Sequence, residues 1–189
     1  DLLTALVQSE SAGDTLSMEE LVTTAILLLN AGHEATVHGI GNSVKALVET
    51  QSDTASIFRD KASTAIAVDE LLRIDPPLHM FTRFVLEDLE YAGLSLKKGQ
   101  SVGLLLGAAN HDPAKYPKPS LLDFNRGGEG HTSFGAGIHF CLGAPLARLE
   151  MGIALPILFA KCPHIKLAGQ PEYSDRYHFH GLEELKVTL

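Results

Sequence analysis

The sequence predicts a mainly α-helical fold that carries small antiparallel β-sheets, which places it in the α+β class. The first observation is one run of apolar residues at helical spacing, which extends from position 18 to position 49. The second is a change to strand-like texture after Phe81, with short strands expected again in 164–189. Between them, residues 110–140 are rich in Pro, Gly, Asp, Asn and His. A stretch of that length without periodicity inside a compact protein is usually functional.

The long central helix has a clear predicted start and an unusual middle. Ser17 and Glu20 have the spacing of a capping box, so the helix is expected to begin at Met18. If it continues to Glu49, it is about 48 Å long at ~1.5 Å per residue. Its middle contains NAGHEATVHG (30–39), and Gly, His, Glu and Thr are poor choices for a buried helix centre. This interruption needs a functional explanation.

Shorter patterns predict the remaining elements. Helices are expected in 1–9 (ended by SAGD at 11–14), in 57–63, in 65–74 and in 141–160. Two prolines, Pro76 and Pro77, stop the third of these helices. Strands are expected in 81–86, 89–96 and 100–107, with a turn at Lys98-Gly99.

Composition limits the classes of function. A chain of 189 residues can form one unit with its own core, and the formal net charge of −8 without a basic stripe argues against a nucleic-acid partner. The longest nearly apolar stretch, LVTTAILLLNAG, is too short and too polar for a membrane span. Two cysteines are too few for a disulfide framework and suggest a reducing, cytoplasmic location. Because the chain enters a helical pattern without an initial Met, we expect it to be part of a larger protein.

The most informative segment is SFGAGIHFCLGAPLARLE, at 133–150. Gly135 and Gly137 allow backbone turns that other residues avoid. Cys141 is expected at the N-terminus of the following helix, where free amides and the helix dipole stabilise a thiolate. Such a thiolate is suited to be the axial ligand of an iron ion. A buried structural cysteine is the plain alternative, and a zinc site with His131 and His139 lacks a fourth ligand.

The segment FGAGIHFCLG (134–143) resembles the haem-binding signature of the cytochrome P-450 family of haem-thiolate monooxygenases. Four further segments agree in the family's order. AGHEAT (31–36) resembles the family's oxygen groove, and Glu70 to Arg73 matches its Glu-x-x-Arg motif. Segment 81–100 resembles its intervening sheet, and segment 111–126 resembles the meander that precedes the haem loop. The resemblance covers essentially all of the chain and indicates the C-terminal half of the family's fold, of the soluble bacterial type. It implies that the N-terminal half is absent.

The resemblance implies specific roles around a haem b cofactor. Cys141 would bind the iron, Arg83 and His139 would contact the propionates, and Glu70, Arg73 and Arg126 would form a buried scaffold behind the haem. The remaining cofactor-binding residues implied by the match are Phe134, Gly135, Gly137, Gly143 and Gly32. Cys162, before a proline at a helix end, is interpreted as an ordinary free thiol.

The oxygen groove departs from the family's pattern at one position. The family's order is Gly, any residue, Asp or Glu, then Thr, whereas this sequence has Ala35 at the threonine position and Thr36 one step later. Three explanations stay open: a local π-bulge that brings Thr36 to the oxygen site, a substrate hydroxyl or ordered water that replaces the threonine, or poor oxygen activation. Glu34 is expected to relay protons.

The resemblance further implies insertion of one oxygen atom from O2 into a lipophilic small molecule. Electrons would come ultimately from NAD(P)H through a ferredoxin- or flavodoxin-type donor. Segments 25–29, 77–81 and 179–182 are expected to line the substrate pocket. The alternatives are a peroxide-driven haem-thiolate enzyme and a truncated fragment without turnover. We also expect the isolated chain to expose an apolar face of its long helix, and to self-associate or to bind haem weakly.

Overall fold

A computed structural model describes residues 2–8, 16–126 and 130–189. Helix α1 spans Leu2–Gln8 and helix α2 spans Met18–Glu49, as the sequence predicts. The SAGD segment expected to end α1 lies outside the described residues. The predicted capping box is confirmed. The backbone N–H of Glu20 donates to Ser17 Oγ, and the backbone N–H of Ser17 donates to the Glu20 carboxylate.

Two short elements differ from the prediction. Helix α3 spans Thr54–Ile57, and helix α4 spans Lys61–Ile74. The helix expected in 57–63 is therefore wrong, because Asp60 interrupts it and caps α4 by accepting a hydrogen bond from Ser63 at 2.8 Å. The helix α4 ends before Pro76, as predicted.

The core lies where α2, α4 and α6 (Ala144–Lys161) pack together. Gly39 lies in this contact region, where an added Cβ would make ordinary van der Waals contacts with Met151 Sδ (3.6 Å) and Pro77 Cγ (3.7 Å). The buried apolar residues of this core are Val44, Leu47, Val68, Leu71, Leu72, Met151, Leu155 and Phe159. All of the buried residues of α2 are in its C-terminal part, from Gly39 onward. This arrangement leaves the groove segment of α2 at the edge of the core.

The described residues form four two-stranded antiparallel sheets. Strand β1 (Met80–Phe84) pairs with β4 (Ser101–Leu105), and a short helix α5 (Leu106–Ala109) follows. Segment 89–96 is not one strand but a hairpin of β2 (Leu89–Tyr91) and β3 (Leu94–Leu96). Its turn uses positive φ angles at Ala92 (49°) and Gly93 (80°), and an alanine gives little sequence signal for such a turn.

The C-terminal segment forms two further pairs, as the sequence predicts. Strand β5 (Lys166–Leu167) pairs with β8 (Val187–Thr188), and β6 (Glu172–Tyr173) pairs with β7 (Leu182–Glu184). The β6–β7 connection returns to the end of α4, where Leu78 forms a β-bridge with Phe179. None of the helices in the described ranges combines the length and the apolar character needed to cross a bilayer.

Candidate functional site

A buried asparagine fixes the start of the cysteine loop (residues 130–143) to the core. Asn110 is fully buried, and its Nδ2 donates to Ser133 Oγ at 2.8 Å. Its Oδ1 accepts from both the backbone N–H and the hydroxyl of Thr132, each at 2.8 Å. Ser133 Oγ in turn donates to the carbonyl of Leu72 in α4 at 2.8 Å. Sequence reasoning missed this anchor, because an isolated Asn in a loop has no distinctive pattern.

The loop closes between Phe134 and Cys141. The backbone N–H of Cys141 donates to the carbonyl of Phe134 at 2.9 Å. The Phe134 ring packs against the core, and the Arg148 guanidinium of α6 lies 4.5 Å from its centroid. Phe134 therefore anchors the loop, as well as being part of the matched signature. This contact sets the position of Cys141 relative to α6.

The glycines of the loop have the conformations that their sequence positions suggest. Gly135 has φ +69° and Gly137 has φ +66°, which is the left-handed region that side chains disfavour. A short 3₁₀ turn, Gly137–His139, follows, and Gly143 is the N-cap of α6. A Cβ on Gly143 would lie 3.9 Å from Cys141 Sγ, an ordinary contact.

Cys141 is a free, partly exposed thiol placed three residues before α6. None of the described residues donates a hydrogen bond to its Sγ, so stabilisation of a thiolate by amides at this turn stays a prediction. The zinc alternative gains no support. The nearly buried His131 has Nε2 3.3 Å from Asp69 Oδ1 while its Nδ1 accepts from Ser133 N–H, and His139 is exposed.

The residues present fit a flat, apolar, iron-containing group with acidic substituents. The loop exposes Ile138 (97%) and Leu142 (87%) beside the one thiol that can bind iron at this place. On α2, a Cβ on Gly32 would meet no atom within 4 Å. A haem would cover the apolar side chains and use the thiol, so the donor chemistry matches the cofactor that the sequence predicts.

Arg83 and His139, the two predicted propionate contacts, carry no carboxylate partner among the described residues. Arg83 lies on β1, and its Nη1 donates to the carbonyl of Thr82 at 2.9 Å. Its guanidinium also lies 5.8 Å from the Phe81 ring centroid. His139 is exposed on the 3₁₀ turn. Both side chains are accessible to an anionic group.

The predicted trio of Glu70, Arg73 and Arg126 is confirmed and buried. Arg73 forks onto the Glu70 carboxylate with Nε and Nη2 at 2.7 and 2.8 Å, and Arg126 Nε donates to Glu70 Oε1 at 3.2 Å. Arg73 and Glu70 are 1% and 4% exposed. The remaining guanidinium donors bind the backbone carbonyls of Asn110, Pro117, Lys118, Pro119 and Leu121. The trio therefore holds the irregular meander against α4.

The groove segment of α2 brings Glu34 against a residue that sequence reasoning missed. The Arg176 guanidinium, from the loop after β6, contacts Glu34 Oε1, and His38 Nε2 lies 3.8 Å from the same oxygen. These residues line an open cavity of about 630 Å³, together with Leu29, Asn30, His33 and Val37. Glu34 and Arg176 are 142 positions apart, so no local sequence signal could reveal the pair.

The backbone around Ala35 and Thr36 is an uninterrupted α-helix. The π-bulge proposed as one explanation for Thr36 is therefore not present. Thr36 remains rotated by about 100° from the position that Ala35 occupies. Of the three explanations for Ala35, replacement of the threonine by a substrate hydroxyl or water, and poor oxygen activation, remain open.

Two of the three predicted lining segments meet. Leu78 bridges Phe179, His79 N–H donates to the carbonyl of His178 at 3.4 Å, and His180 N–H donates to that of Pro77 at 2.9 Å. Segment 25–29 of α2 is separate from these contacts and is largely exposed. Ile26, Leu27 and Leu29 are 56%, 63% and 74% exposed.

A second ion-pair cluster lies beside the cysteine loop. Arg148 Nε donates to Asp69 Oδ1 at 2.7 Å, and the same oxygen faces His131. Burial raises the pKa of Asp69, but the hydrogen bonds from His131 and Arg148 outweigh burial and leave this pKa below its usual range. Asp69 is therefore held as a carboxylate between α4, α6 and the loop.

Comparison with known proteins identifies the family. The cytochrome P-450 family model matches residues 63–176. A polyketide-biosynthesis cytochrome P-450 of Bacillus subtilis is 40% identical over all of this chain and 48% of its own length. Its structure superposes with a TM-score of 0.94, covering all of this chain and 50% of that one. The vitamin D(3) 25-hydroxylase of Pseudonocardia autotrophica is 44% identical, covering all of this chain and 48% of the relative.

A third match is a cytochrome P-450 solved in complex with acyl carrier protein ligated to hexadec-9Z-enoic acid. It is 38% identical with a TM-score of 0.87, covering 99% of this chain and 51% of that chain. The bundle, the buried Glu-Arg pair and the cysteine loop thus form the architecture of a haem-thiolate cytochrome. The chain belongs to the cytochrome P-450 family, and it spans about half the length of the relatives it matches.

Proposed function

We propose that this chain provides the haem-thiolate half of a monooxygenase that inserts one oxygen atom from O2 into a lipophilic small organic molecule. The observation that supports this most directly is the loop of Cys141, with its two left-handed glycines and its anchor to Asn110. Electrons would come ultimately from NAD(P)H through a ferredoxin- or flavodoxin-type donor. The unit proposed is the whole of 1–189.

In this proposal the haem would be held by Cys141, Arg83 and His139. When bound, it supplies the redox chemistry by which a thiolate-ligated iron cleaves the O–O bond. Arg83 and His139 would neutralise the propionates, since neither has a carboxylate partner among the described residues. Phe134 keeps the loop closed through its carbonyl, and the exposed apolar residues Ile138 and Leu142 would help to exclude water from a bound haem.

Glu34 is proposed to take protons from solvent and release them into the groove. Its carboxylate lies on the wall of an open cavity, so water can reach it. Arg176 restricts its rotamers, while His38 Nε2 lies 3.8 Å from Oε1, beyond hydrogen-bond distance. Gly32, one turn before Ala35 and Thr36, faces open space, since a Cβ there would meet no atom within 4 Å.

A lipophilic substrate is supported by the apolar residues of the three lining segments. Ile26, Leu27 and Leu29 on α2 present exposed apolar surface near the cavity of Glu34. The named relatives act in polyketide biosynthesis or on vitamin D(3). We extend from them only the chemical class, a molecule with a large apolar surface.

A peroxide-driven reaction is the second candidate. Ala35 occupies the threonine position, and the unbroken helix leaves Thr36 on a different side of α2. A reaction that starts from peroxide needs less proton delivery to dioxygen, so the missing hydroxyl favours it. Product formed with hydrogen peroxide but not with a reductase would support this candidate over the first.

The deciding experiment is the absorbance spectrum of the reduced chain with haem and carbon monoxide. Thiolate ligation by Cys141 gives a red-shifted Soret band, and Cys141→Ser should abolish it. Cys162→Ser is the matched control, because Cys162 is the other free thiol and lies at the far end of α6. If the band is absent after haem addition, the chain is a fragment without turnover, and the proposed function is wrong for it.

A further inference from the structure

A second cluster of metal-ligating side chains lies away from the cysteine loop. Asp75, His79 and His180 each offer one ligand atom, and these atoms all lie within 4.8 Å of one another. Asp75 follows the last residue of α4, His79 precedes β1, and His180 lies two residues before β7. Three separate parts of the chain thus meet at one point.

The backbone and the outer side chains hold this cluster in place. Tyr173 donates its hydroxyl to Asp75 Oδ2 at 2.5 Å, which leaves Oδ1 facing His180. Asn42 Nδ2, fully buried in α2, donates to the carbonyls of Asp75 (3.3 Å) and His180 (2.9 Å). The main chain of His79 is fixed as well, since its carbonyl accepts from Gly107 N–H at 3.1 Å.

The distances suit one shared ion. At metal–ligand distances of about 2.0–2.2 Å, neighbouring ligand atoms lie about 3.0–3.5 Å apart. His180 Nε2 and Asp75 Oδ1 are already 3.1 Å apart. The His79 ring stacks nearly parallel on that of His180, with centroids 3.8 Å apart and 17° between the ring planes, so the His79 imidazole has to turn out of this stack to direct a nitrogen at the same ion. A Cβ on Gly107 would lie 3.0 Å from the His79 ring, and the glycine therefore leaves room for it.

The contact with Asp75 Oδ1 at 3.1 Å and the stack on the Tyr173 ring account for the position of His180 but not for that of His79. The side chain of His79 makes no hydrogen bond with the described residues, and its only ring partner is the imidazole of His180. Two imidazoles beside a carboxylate are a donor set that suits a borderline divalent ion. Tyr173 supplies the outer hydrogen bond that orients a ligating carboxylate.

We propose that Asp75, His79 and His180 bind one divalent transition-metal ion of the Zn²⁺ type, with a remaining coordination position open to water. The site is separate from the iron ligand Cys141. A bound ion links the end of α4 to the segments before β1 and β7, and thereby fixes the strand that carries Arg83.

Calorimetric titration of the chain with Zn²⁺, above the ordinary pKa of histidine, tests the proposal. We expect one site, with affinity at least about tenfold lower in His79→Ala, and lower again in His180→Ala. The matched control is His164→Ala, because His164 is exposed in the loop after α6 and should leave the affinity unchanged. Zn X-ray absorption should show nitrogen and oxygen neighbours only.

Two results would overturn the assignment. The first is the absence of Zn²⁺ binding, or binding that His79→Ala leaves unchanged. The second is sulfur in the zinc shell, which would place the ion on a cysteine. Circular dichroism checks the fold of each variant. If His180→Ala fails to fold because it loses the contact with Asp75, His79→Ala still decides, since that side chain makes no hydrogen bond with the described residues.

Discussion

The carboxylate of Glu34, in the middle of the long helix α2, is held by the guanidinium of Arg176 from the loop after β6. This contact joins the groove segment to the loop after β6, and both residues line a cavity open to solvent. An ion pair of two partly exposed groups contributes little to stability. Its effect is on position, which makes the pair a test of the proposed proton path.

Glu34→Gln should lower product formation from O2 by on the order of 100-fold, because an amide cannot relay the proton. Arg176→Ala should lower it less, since the carboxylate remains but is free to rotate. The measurement is product formed per electron consumed, with solvent deuterium isotope effects. The exposed Glu183→Gln is the matched control, and an equal effect there would remove the special role of Glu34.

Ala35→Thr restores a hydroxyl at the position where the family carries one. Because α2 is continuous here, the new side chain lies on the same face as Gly32 and Gly39. We expect more product and less hydrogen peroxide per NAD(P)H consumed. The comparison is Thr36→Ala, which removes the neighbouring hydroxyl. Unchanged or poorer coupling in Ala35→Thr would show that a substrate hydroxyl or water already fills the role.

Loss of one partner from the buried Glu70–Arg73 pair should be costly. Glu70→Gln leaves Arg73 in a site only 1% exposed without its counter-charge, and the expected loss is about 3–5 kcal/mol of unfolding free energy. Arg126 and the meander should loosen with it. Denaturant titration measures the effect. Asp88→Asn, which breaks the exposed pair with Lys97, is the control and should leave the stability nearly unchanged.

The sequence predicts those elements whose cause is local. The start of helix α2 was predictable because Ser17 and Glu20 form its capping box. Its length was predictable because apolar residues repeat at a helical period up to its C-terminal end. Helix α3 was misplaced because Asp53 caps a piece of only four residues, too short to show a period. The β2–β3 hairpin was missed because Ala92, rather than Asn or Gly, adopts the first positive φ of its turn.

Site residues divide in the same way. The cysteine loop and the Glu70–Arg73 pair have fixed local spacing, so the sequence predicts them together. Asn110, Arg148 and Arg176 act across 22 or more positions, and their partners become visible only when the chain is folded. The sequence therefore reveals the iron-ligand loop and the Glu70–Arg73 pair, but not the long-range contacts of Asn110, Arg148 and Arg176 that hold the site in position.

Acid should weaken the attachment of the cysteine loop through Asp69. Its folded-state pKa is depressed because hydrogen bonds from His131 and Arg148 outweigh burial. The stability it contributes is therefore complete above the unfolded pKa of about 3.9 and is lost as the pH falls through the lower folded value. Stability measured between about pH 5 and pH 2 should fall less steeply in Asp69→Asn. An unchanged slope would mean that Asp69 does not couple to folding.

The exposed apolar face of α2 predicts association of the isolated chain. Leu29 is 74% exposed, and Met18, Val22 and Ile26, which precede it at helical spacing, extend the same apolar surface toward the start of the helix. Burial of such side chains against a second copy is favourable by about 25 cal/mol per Å². Sedimentation velocity should show a mass that rises with concentration.

Ile26→Ser with Leu29→Ser should reduce that association without lowering the unfolding temperature, because neither side chain belongs to the core. Leu94→Ser with Leu142→Ser is the matched control, with leucines 62% and 87% exposed outside α2. The chain should be monomeric only where the α2 pair is changed. If the unaltered chain is monomeric at all concentrations, the prediction is wrong, because this apolar face of α2 then remains exposed to solvent without causing association.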